Sequence, residues 1–352
     1  MTRNLRDPAQ VQVIAPNFKK RLSGVTSTVF RLVPVQAGDL AVVVTGPAIP
    51  DDLPQVRLRD LLLMPKHGPD GPRVWHARRN LEMLGGLALR VLGKDLRLVF
   101  TSASQRRHTG FTKALIRQMD AVVSTSARTA AYLERPSVVV HHGIDVEAFR
   151  PVPDRAALRA TLGLPSGPLV GCFGRVRAQK GTDLFVDAMI AVLSQRPDGG
   201  GIILGRATAE HREFQRGLET RIAQAGLSNR LRFMGEVPVG EIAQWYQALD
   251  LFLAPQRWEG FGVTPIEAMA CGVPVVATRV GAFEEQVVDG ATGLLIPPND
   301  AQAMIATLHG ALSDPARLAL WGTAARDHVV ANFRIEAEAA RLNALYRELL
   351  RR

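Results

Sequence analysis

The sequence predicts an α/β fold of two doubly wound domains, each built around a parallel β-sheet. The chain has 352 residues, which is more than one hydrophobic core usually organises, so we expect two domains. Short apolar runs alternate with helix-length segments, and this alternation is typical of βαβ units with parallel strands. Residues 149–168 contain four prolines and are predicted to link the two domains.

The predicted elements alternate in both halves of the chain, more regularly in the second. In the first half, the predicted strands are VQVIAPN, LAVVVTG, RLVFTSAS, DAVVST and SVVVHHG. In the second half, PLVGCFGRV is predicted as a strand, GTDLFVDAMIAVLSQ as an amphipathic helix, and GIILG, LRFMGEV, DLFLAP, PVVAT and GLLIPP as further strands. We predict one domain over residues 1–150 and a second over 151–335. Residues 336–352 have apolar side chains at helical spacing, and we expect this helix to cross back to the first domain.

Composition excludes several classes of protein. Hydrophobic residues make up 47% of the chain and charged residues 22%, as in ordinary globular proteins. No apolar run approaches the roughly 18 residues of a membrane span, and the first residues lack the apolar segment of a signal peptide. Cys172 and Cys271 are far apart in apolar surroundings, which favours buried thiols in a reducing compartment. We therefore expect a cytoplasmic protein.

Positive charge is concentrated in the first half. Residues 1–150 contain 22 Lys and Arg against 12 Asp and Glu, whereas residues 151–352 contain 21 of each kind. This asymmetry favours an anionic partner such as a phosphate, an acidic sugar, an anionic lipid or a nucleic acid, although solubility alone is an alternative. Nucleic-acid binding is the remote alternative, because the basic half lacks strands that interleave aromatic and basic residues.

The stretch RWEGFGVTPIEAMACG, residues 257–272, is the strongest candidate for a functional site. Thr264 to Glu267 has the form of a helix start, so one interpretation is that Glu267 completes a capping box. Gly260 and Gly262 precede this helix, and glycines there allow the backbone N–H groups to approach an anion. The chain has no G-x-G-x-x-G, no P-loop and no metal-ligand motif. We therefore expect no cofactor and no metal, with phosphate bound by side-chain cations and helix N-termini.

The same stretch resembles the E-x7-E signature of family 4 retaining glycosyltransferases, here from Glu259 to Glu267. Three further segments match that family in order: GRVRAQKGTDLFVDAM, FMGEVP and VGAFEEQVVDGATGLLIPPND. The resemblance covers residues 137–312 well and is looser over 1–136. It implies the GT-B fold, in which two Rossmann-like domains face a cleft. The first domain then binds the acceptor and the second binds the nucleotide sugar.

Segments of the first half are similar to a narrower group, the lipopolysaccharide-core mannosyltransferases. These segments are NFKKRLSGVTSTVF, WHARRNLEML and FTSASQRRHTGFTKALI. The resemblance implies GDP-mannose as donor and a Kdo residue on lipid A as acceptor. It also implies peripheral association with the cytoplasmic face of the inner membrane, through residues 61–66 and 78–97. The alternatives are a UDP-sugar with another acceptor and, for residues 80–93, a helix that only packs in the core.

The resemblance implies a role for each matching residue in the donor site. Arg175 and Lys180 bind the diphosphate and, with Glu259 on the donor sugar, carry the catalytic role. Glu267 binds the ribose hydroxyls. The backbone of Gly260, Phe261 and Gly262 contacts the sugar and the phosphate. The backbone of Glu236 and Val237 contacts the base. Ser23 and Gly24 close over the phosphates. The leaving phosphate helps to deprotonate the acceptor on the same face, so the two glutamates are not an acid/base pair.

The acceptor site is predicted around two histidines in the first half. Many family members place a histidine after the strand that is RLVFTSAS here, but Thr101 stands at that position. His76 and His108 are both candidates to replace it, and a structural role is the alternative for each. Arg78, Arg79, Arg106 and Arg107 lie near them in sequence. Their guanidinium groups suit the carboxylate of Kdo, with a solvated basic surface as the alternative.

Overall fold

A computed structural model describes residues 3–20 and 24–352 and divides the chain into two units. Unit 1 comprises the chain up to Gly143 together with Ile335–Arg352, and unit 2 comprises Ile144–Arg334. The strands are β1 Val13–Pro16, β2 Val42–Thr45, β3 Arg73–Ala77, β4 Leu96–Ser102, β5 Ala121–Ser124, β6 Val138–Val139, β7 Leu169–Phe173, β8 Gly200–Leu204, β9 Leu231–Gly235, β10 Leu251–Ala254, β11 Val275–Thr278 and β12 Gly293–Ile296. The α-helices are α1 Gly24–Gln36, α2 Leu58–Leu63, α3 Asn80–Val91, α4 Gly110–Arg117, α5 Ala127–Ala130, α6 Arg155–Thr161, α7 Thr182–Ser194, α8 Arg212–Gln224, α9 Ile242–Gln247, α10 Thr264–Ala270, α11 Phe283–Gln286, α12 Ala301–Leu312, α13 Pro315–Asn332 and α14 Ile335–Leu350.

Each unit contains a parallel sheet of six strands within the described residues. The order is β2-β1-β3-β4-β5-β6 in unit 1 and β12-β11-β10-β7-β8-β9 in unit 2. In both sheets the first strand of the unit lies inside the sheet, and the chain builds outward from it in both directions. This is the doubly wound topology, so the predicted fold class is confirmed. The strand order reverses beside β1 and beside β7, and such switch points are where doubly wound sheets bind ligands.

Successive side chains of a strand point to opposite faces of the sheet, so the two faces pack into separate cores. In unit 2, Leu169 and Phe173 of β7 pack with Tyr246 on one face. Val170 of the same strand packs with Phe185 on the other face. A strand that is buried on both faces reads as a continuous apolar run, which explains why PLVGCFGRV could be recognised from sequence.

The last helix, α14, belongs to unit 1 and packs against α1. Its apolar face, from Ile335 to Leu349, joins the core formed by Val29 and Leu32. The side-chain amide of Gln36 donates to Oδ1 of Asn343 at 3.1 Å in the same buried contact. Helices α1 and α14 therefore share one core with the strands of the first sheet.

Two segments differ from the sequence prediction. The proline-bearing stretch is not a linker: it lies within unit 2, where Asp154 caps α6 through a hydrogen bond to the backbone N–H of Ala157. Strand β3 was not predicted, because Arg73 and His76 interrupt its apolar pattern. Both side chains are nevertheless fully buried, and Arg73 donates hydrogen bonds to the carbonyls of Val11 and Pro65.

Candidate functional site

The loops after β7 and β10 meet at the switch point of unit 2. Gly181 has a φ of 71°, and a Cβ placed on it would lie 2.0 Å from the carbonyl oxygen of Pro255. The backbone N–H of Arg257 donates to the carbonyl of Gln179 at 3.0 Å. Only glycine allows this close approach, so residue 181 brings the two loops into direct contact.

An ion pair between Arg257 and Asp183, both partly exposed, connects the same region. The guanidinium of Arg257 donates to both carboxylate oxygens of Asp183, at 2.7 and 2.8 Å. The hydrogen bond that Arg257 donates to Asp183 raises the pKa of Arg257. Such a bidentate pair is geometrically specific, and here it ties the loop after β10 to the first turn of α7. No sequence motif links Arg257 to Asp183, because the two residues are 74 positions apart.

The predicted catalytic residues Lys180 and Glu259 contact each other across these loops. The ammonium of Lys180 forms an ion pair and hydrogen bond with Oε2 of Glu259. The other carboxylate oxygen, Oε1, accepts the backbone N–H of Gly260 at 3.0 Å. Their side chains are 22% and 15% exposed, so the pair is partly shielded yet open to solvent on one side.

The glycine turn before α10 is shaped by backbone constraints. Gly262 has a φ of 73°, and a Cβ there would lie 2.6 Å from the ring of Phe283. The side-chain amide of Gln286, itself buried, donates to the carbonyls of Phe261 and Gly262 at 3.1 and 2.9 Å. Phe261 is itself buried, and its ring packs in the core of unit 2.

Glu267 is buried in α10 and held by a tyrosine. The hydroxyl of Tyr246 donates to Oε2 of Glu267 at 2.8 Å. The helix begins at Thr264 with Val263 as its N-cap, and no side-chain cap hydrogen bond forms. The capping-box interpretation is therefore wrong, since Val263 has no hydroxyl to contribute. Glu267 also helps to raise the pKa of the Cys271 thiol, although burial is the larger cause.

The remaining predicted donor residues lie on loops of unit 2, at the start of α1 in unit 1, or outside the described residues. Arg175 is exposed on the loop between β7 and Lys180. Glu236 follows β9, is exposed, and pairs with Arg206 at 2.9 Å, while Val237 beside it is half-buried. In unit 1, Gly24 is the exposed first residue of α1. Ser23 lies outside the described residues.

At the switch point of unit 1, Arg79 is enclosed in a polar network. Its guanidinium donates to Asn17 and to Thr26, both at 3.0 Å. It also pairs with Glu82 at 2.6 Å, and the Glu82 carboxylate has no exposed surface. These contacts join the carboxyl end of β1, the first turn of α1 and the start of α3. The position is that of a structural arginine and does not support Arg79 as an acceptor contact.

His76 is also enclosed by protein groups. Its Nδ1 bonds the hydroxyl of Tyr346 at 2.5 Å and its Nε2 bonds the hydroxyl of Thr101 at 2.6 Å. Burial, and to a lesser degree the charge of Arg78, holds the pKa of this imidazole well below its usual value. Both ring nitrogens are therefore used inside the protein. This arrangement matches the structural alternative for His76, and it uses the very threonine that stands at the family's histidine position.

The other predicted acceptor residues are more accessible. His108 is half-buried against Phe100, and its Nε2 lies 3.3 Å from the hydroxyl of Ser102. Burial lowers the pKa of His108, and the charges of Arg106 and Lys113 add to the effect. The side chains of Arg106 and Arg107 are exposed, and that of Arg78 is half-buried. These four residues are the candidate ligand contacts of unit 1.

The lysine–glutamate pair, the glycine turn and Glu267 all lie at the switch point of unit 2. The family model "Glycosyl transferases group 1" matches residues 154–328, the segment that contains this site. Relatives that are 55% and 48% identical over 98% of the chain support the same assignment. The chain belongs to this family, which has the GT-B fold, as the sequence resemblance predicts, and it is an enzyme that transfers a sugar.

Similar proteins cover nearly the whole chain. The lipopolysaccharide core biosynthesis mannosyltransferase LpsB of Rhizobium meliloti (strain 1021) is 55% identical over 98% of this chain and 99% of its own length. The lipopolysaccharide core biosynthesis mannosyltransferase LpcC of Rhizobium leguminosarum bv. viciae is 48% identical over 98% of both chains. Among solved structures, Anabaena Alr3699/HepE in complex with UDP has a TM-score of 0.84 at 19% identity, covering 96% of this chain and 100% of its own. The last likeness is one of fold alone.

Proposed function

We propose that this enzyme transfers mannose from GDP-mannose to the Kdo residue of a lipid A precursor during lipopolysaccharide core biosynthesis. The observation that carries the proposal is the 55% identity to a lipopolysaccharide core mannosyltransferase over 98% of the chain. A span of 98% leaves few residues uncovered, so it includes nearly all of residues 1–136, the part that is matched only loosely by the wider family resemblance. Similarity of this extent in both halves supports a common acceptor as well as a common donor.

The donor is proposed to lie along the loops at the carboxyl edge of the unit 2 sheet. Lys180 and Arg175 neutralise the diphosphate, a role for which fixed cations serve as well as a metal ion. Glu267, oriented by Tyr246, accepts hydrogen bonds from the ribose hydroxyls. Glu259 accepts hydrogen bonds from hydroxyls of the sugar. This assignment makes transfer independent of divalent metal. Full activity in excess chelator is expected, and a loss of turnover that Mg²⁺ or Mn²⁺ restores would contradict it.

The proposed reaction retains the configuration of the sugar. The bond between the anomeric carbon and the phosphate oxygen breaks while the acceptor oxygen bonds to the same face of that carbon. The acceptor proton passes to the departing phosphate oxygen, so no side-chain base is needed. Cations near that oxygen, Lys180 and Arg175, stabilise the charge that develops on it.

The acceptor is proposed to bind unit 1 through exposed basic side chains. Arg106 and Arg107 are exposed beside the half-buried His108, and Arg78 lies at the carboxyl end of β3. Guanidinium groups bind carboxylates with paired hydrogen bonds, which suits the acidic sugar Kdo. Because Arg79 and His76 are committed to protein partners, we assign them the role of supporting this edge and not of contacting the acceptor.

An exposed apolar patch supports binding of unit 1 to the inner membrane surface on its cytoplasmic face. The ends of α2 and α3 are joined, since the ammonium of Lys94 donates to the carbonyl of Met64 at 2.5 Å. Four apolar side chains near these ends are between 57% and 88% exposed: Leu62, Leu63, Val91 and Leu92. One face of α3 still packs in the core through Met83 and Leu89. Within the described part of the chain, every helix is too short or too polar to cross a bilayer.

A panel of donors and acceptors tests the proposed function. Purified enzyme is incubated with GDP-mannose, other GDP-sugars and UDP-sugars, with and without a Kdo-bearing lipid A precursor. We expect mannosyl transfer from GDP-mannose that requires the Kdo residue. Transfer from a UDP-sugar, or transfer to an acceptor that lacks Kdo, would replace the proposed donor or acceptor by the one observed.

A further inference from the structure

The ion pair between Lys180 and Glu259 joins two residues that the proposed function assigns to different parts of the donor. Lys180 is assigned to the diphosphate and Glu259 to the sugar, yet each is bound to the other here. If the Lys180 ammonium binds a phosphate, it must give up part or all of its hydrogen bonding to the Glu259 carboxylate. The free energy of donor binding therefore includes the cost of weakening or breaking this ion pair.

The backbone on both sides holds the pair in place. Gly181, next to Lys180, is pressed against the carbonyl of Pro255. Gly281 has a φ of 62°, and a Cβ on it would lie 3.0 Å from Cβ of Glu259. The carboxylate is fixed further by the N–H of Gly260. Since both backbones are constrained, the flexible lysine stem is the part that can change partner.

We infer that Glu259 is the resident counter-ion of Lys180 and that the donor diphosphate displaces it, which frees Oε2 of Glu259 to accept a sugar hydroxyl. A diphosphate carries more negative charge than one carboxylate and therefore competes for the ammonium. Displacement leaves Glu259 partly buried without its cation, and hydroxyl groups of the bound sugar then supply the missing hydrogen bonds. Diphosphate binding and sugar binding are thus coupled through one exchange of partners. This inference rests on the proposed function.

The exchange also distinguishes the donor from the product. The intact donor brings both a diphosphate for Lys180 and hydroxyls for Glu259. The nucleoside diphosphate left after transfer brings only the first, so Glu259 competes to recover Lys180. The carboxylate consequently weakens binding of the nucleoside diphosphate, and removing its charge should strengthen that binding.

Calorimetric titration of GDP into four proteins tests the exchange: the unmodified enzyme, Glu259→Gln, Lys180→Gln and the double variant. We expect Glu259→Gln to bind GDP about five- to tenfold more tightly, the effect of removing a partly buried competing ion pair. In the Lys180→Gln background the same change should alter GDP affinity less than about twofold, since the competition is gone. GDP-mannose should not bind Glu259→Gln more tightly, because its sugar contact is lost.

Glu284→Gln is the matched control, because it also neutralises a carboxylate of unit 2, one paired with Arg279 at 3.6 Å. It should leave GDP affinity unchanged. GDP binding that is equal or weaker in Glu259→Gln, with an unchanged thermal midpoint, would overturn the exchange. So would equal tightening in the Lys180→Gln background.

Failure of the proposed donor gives a different result. If the unmodified enzyme ignores GDP but binds UDP, the proposed base is wrong and the same four proteins are titrated with UDP to judge the exchange. If it binds neither nucleotide, the proposed function and the exchange are both rejected.

Discussion

The two units place charged side chains at equivalent positions of the same topology but enclose them differently. Beside β7 in unit 2, Lys180 and Glu259 pair only at the edge of the loops and keep an exposed side. Beside β1 in unit 1, Arg79 is bound to Asn17, Thr26 and the fully buried Glu82. Arg79, at 17% exposed, is about as accessible as Lys180 at 22%, so the two ion pairs differ in their carboxylates: Glu82 has no exposed surface, whereas Glu259 is 15% exposed. We therefore take an ion pair at a switch point as a candidate ligand site only where both partners keep exposed surface.

Removing the accessible cations should produce the largest effect. We expect Lys180→Ala and Arg175→Ala each to lower kcat roughly 10²–10³-fold, because each removes a group that stabilises charge developing in the transition state. Steady-state rates with saturating donor and acceptor provide the measurement. Arg221→Ala is the control, since Arg221 forms an exposed pair with Asp187, and its kcat should match that of the unmodified enzyme. A loss below tenfold for both Lys180 and Arg175 would contradict their catalytic role.

Removing the enclosed arginine should instead reduce stability. Arg79→Ala leaves the Glu82 carboxylate buried without its cation, and breaking such a pair costs about 3 kcal/mol. Arg57→Ala is the matched control, because Arg57 and Asp60 have the same spacing along the chain but lie on the surface; its cost should stay below about 1 kcal/mol. Urea unfolding followed by circular dichroism measures both. Equal costs for the two variants would show that enclosure of Arg79 has little energetic weight.

Most of the fold could be predicted from sequence because most strands are buried apolar runs. The exception is β3, in which Arg73 and His76 are buried polar residues whose partners lie elsewhere in the chain. Arg73 bonds the carbonyl of Val11, 62 positions away. The prediction of a linker at residues 149–168 was wrong because prolines also begin and end ordered loops inside a domain.

The candidate donor residues could be named from the sequence, but their contacts with one another could not. The motif indicates Glu259 and Glu267, yet it gives no sign that Tyr246 bonds the second or that Lys180 pairs with the first. In unit 1 the sequence offered His76 and Arg79 as candidates and left a structural alternative open for His76 and a surface alternative for Arg79, and the protein partners that enclose them could be seen only in three dimensions. Spacing along the chain identifies residue types, whereas accessibility depends on packing between distant segments.

The buried tyrosines of the two units provide a smaller and more specific test. Tyr246→Phe removes the hydrogen bond to Glu267 while keeping the ring in its aromatic cluster. We expect GDP to bind roughly five- to tenfold more weakly, about 1 kcal/mol, because Glu267 loses the group that orients it. Tyr346→Phe is the matched control, since it removes an equally buried hydroxyl bond, to His76 in unit 1. Calorimetry should show unchanged GDP affinity for that variant, and a similar loss in both would mean that Tyr246 acts through general stability.

The smallest effect, on membrane binding, is expected from exposed leucines at the surface, one in each unit. Leu63 of α2 is 86% exposed and Leu320 of α13 is 72% exposed, so replacing either with serine should leave stability nearly unchanged. If the patch on unit 1 inserts into lipid, Leu63→Ser should weaken binding to anionic liposomes by about 1 kcal/mol or less, and Leu320→Ser should not. Flotation at low salt measures the bound fraction of each protein. Because nearby lysines and arginines add an electrostatic part that salt screens, the difference between the variants should persist as salt is raised while total binding falls. Equal flotation of both variants would remove the patch from the membrane contact, and no flotation of the unmodified enzyme would remove the membrane from its partners.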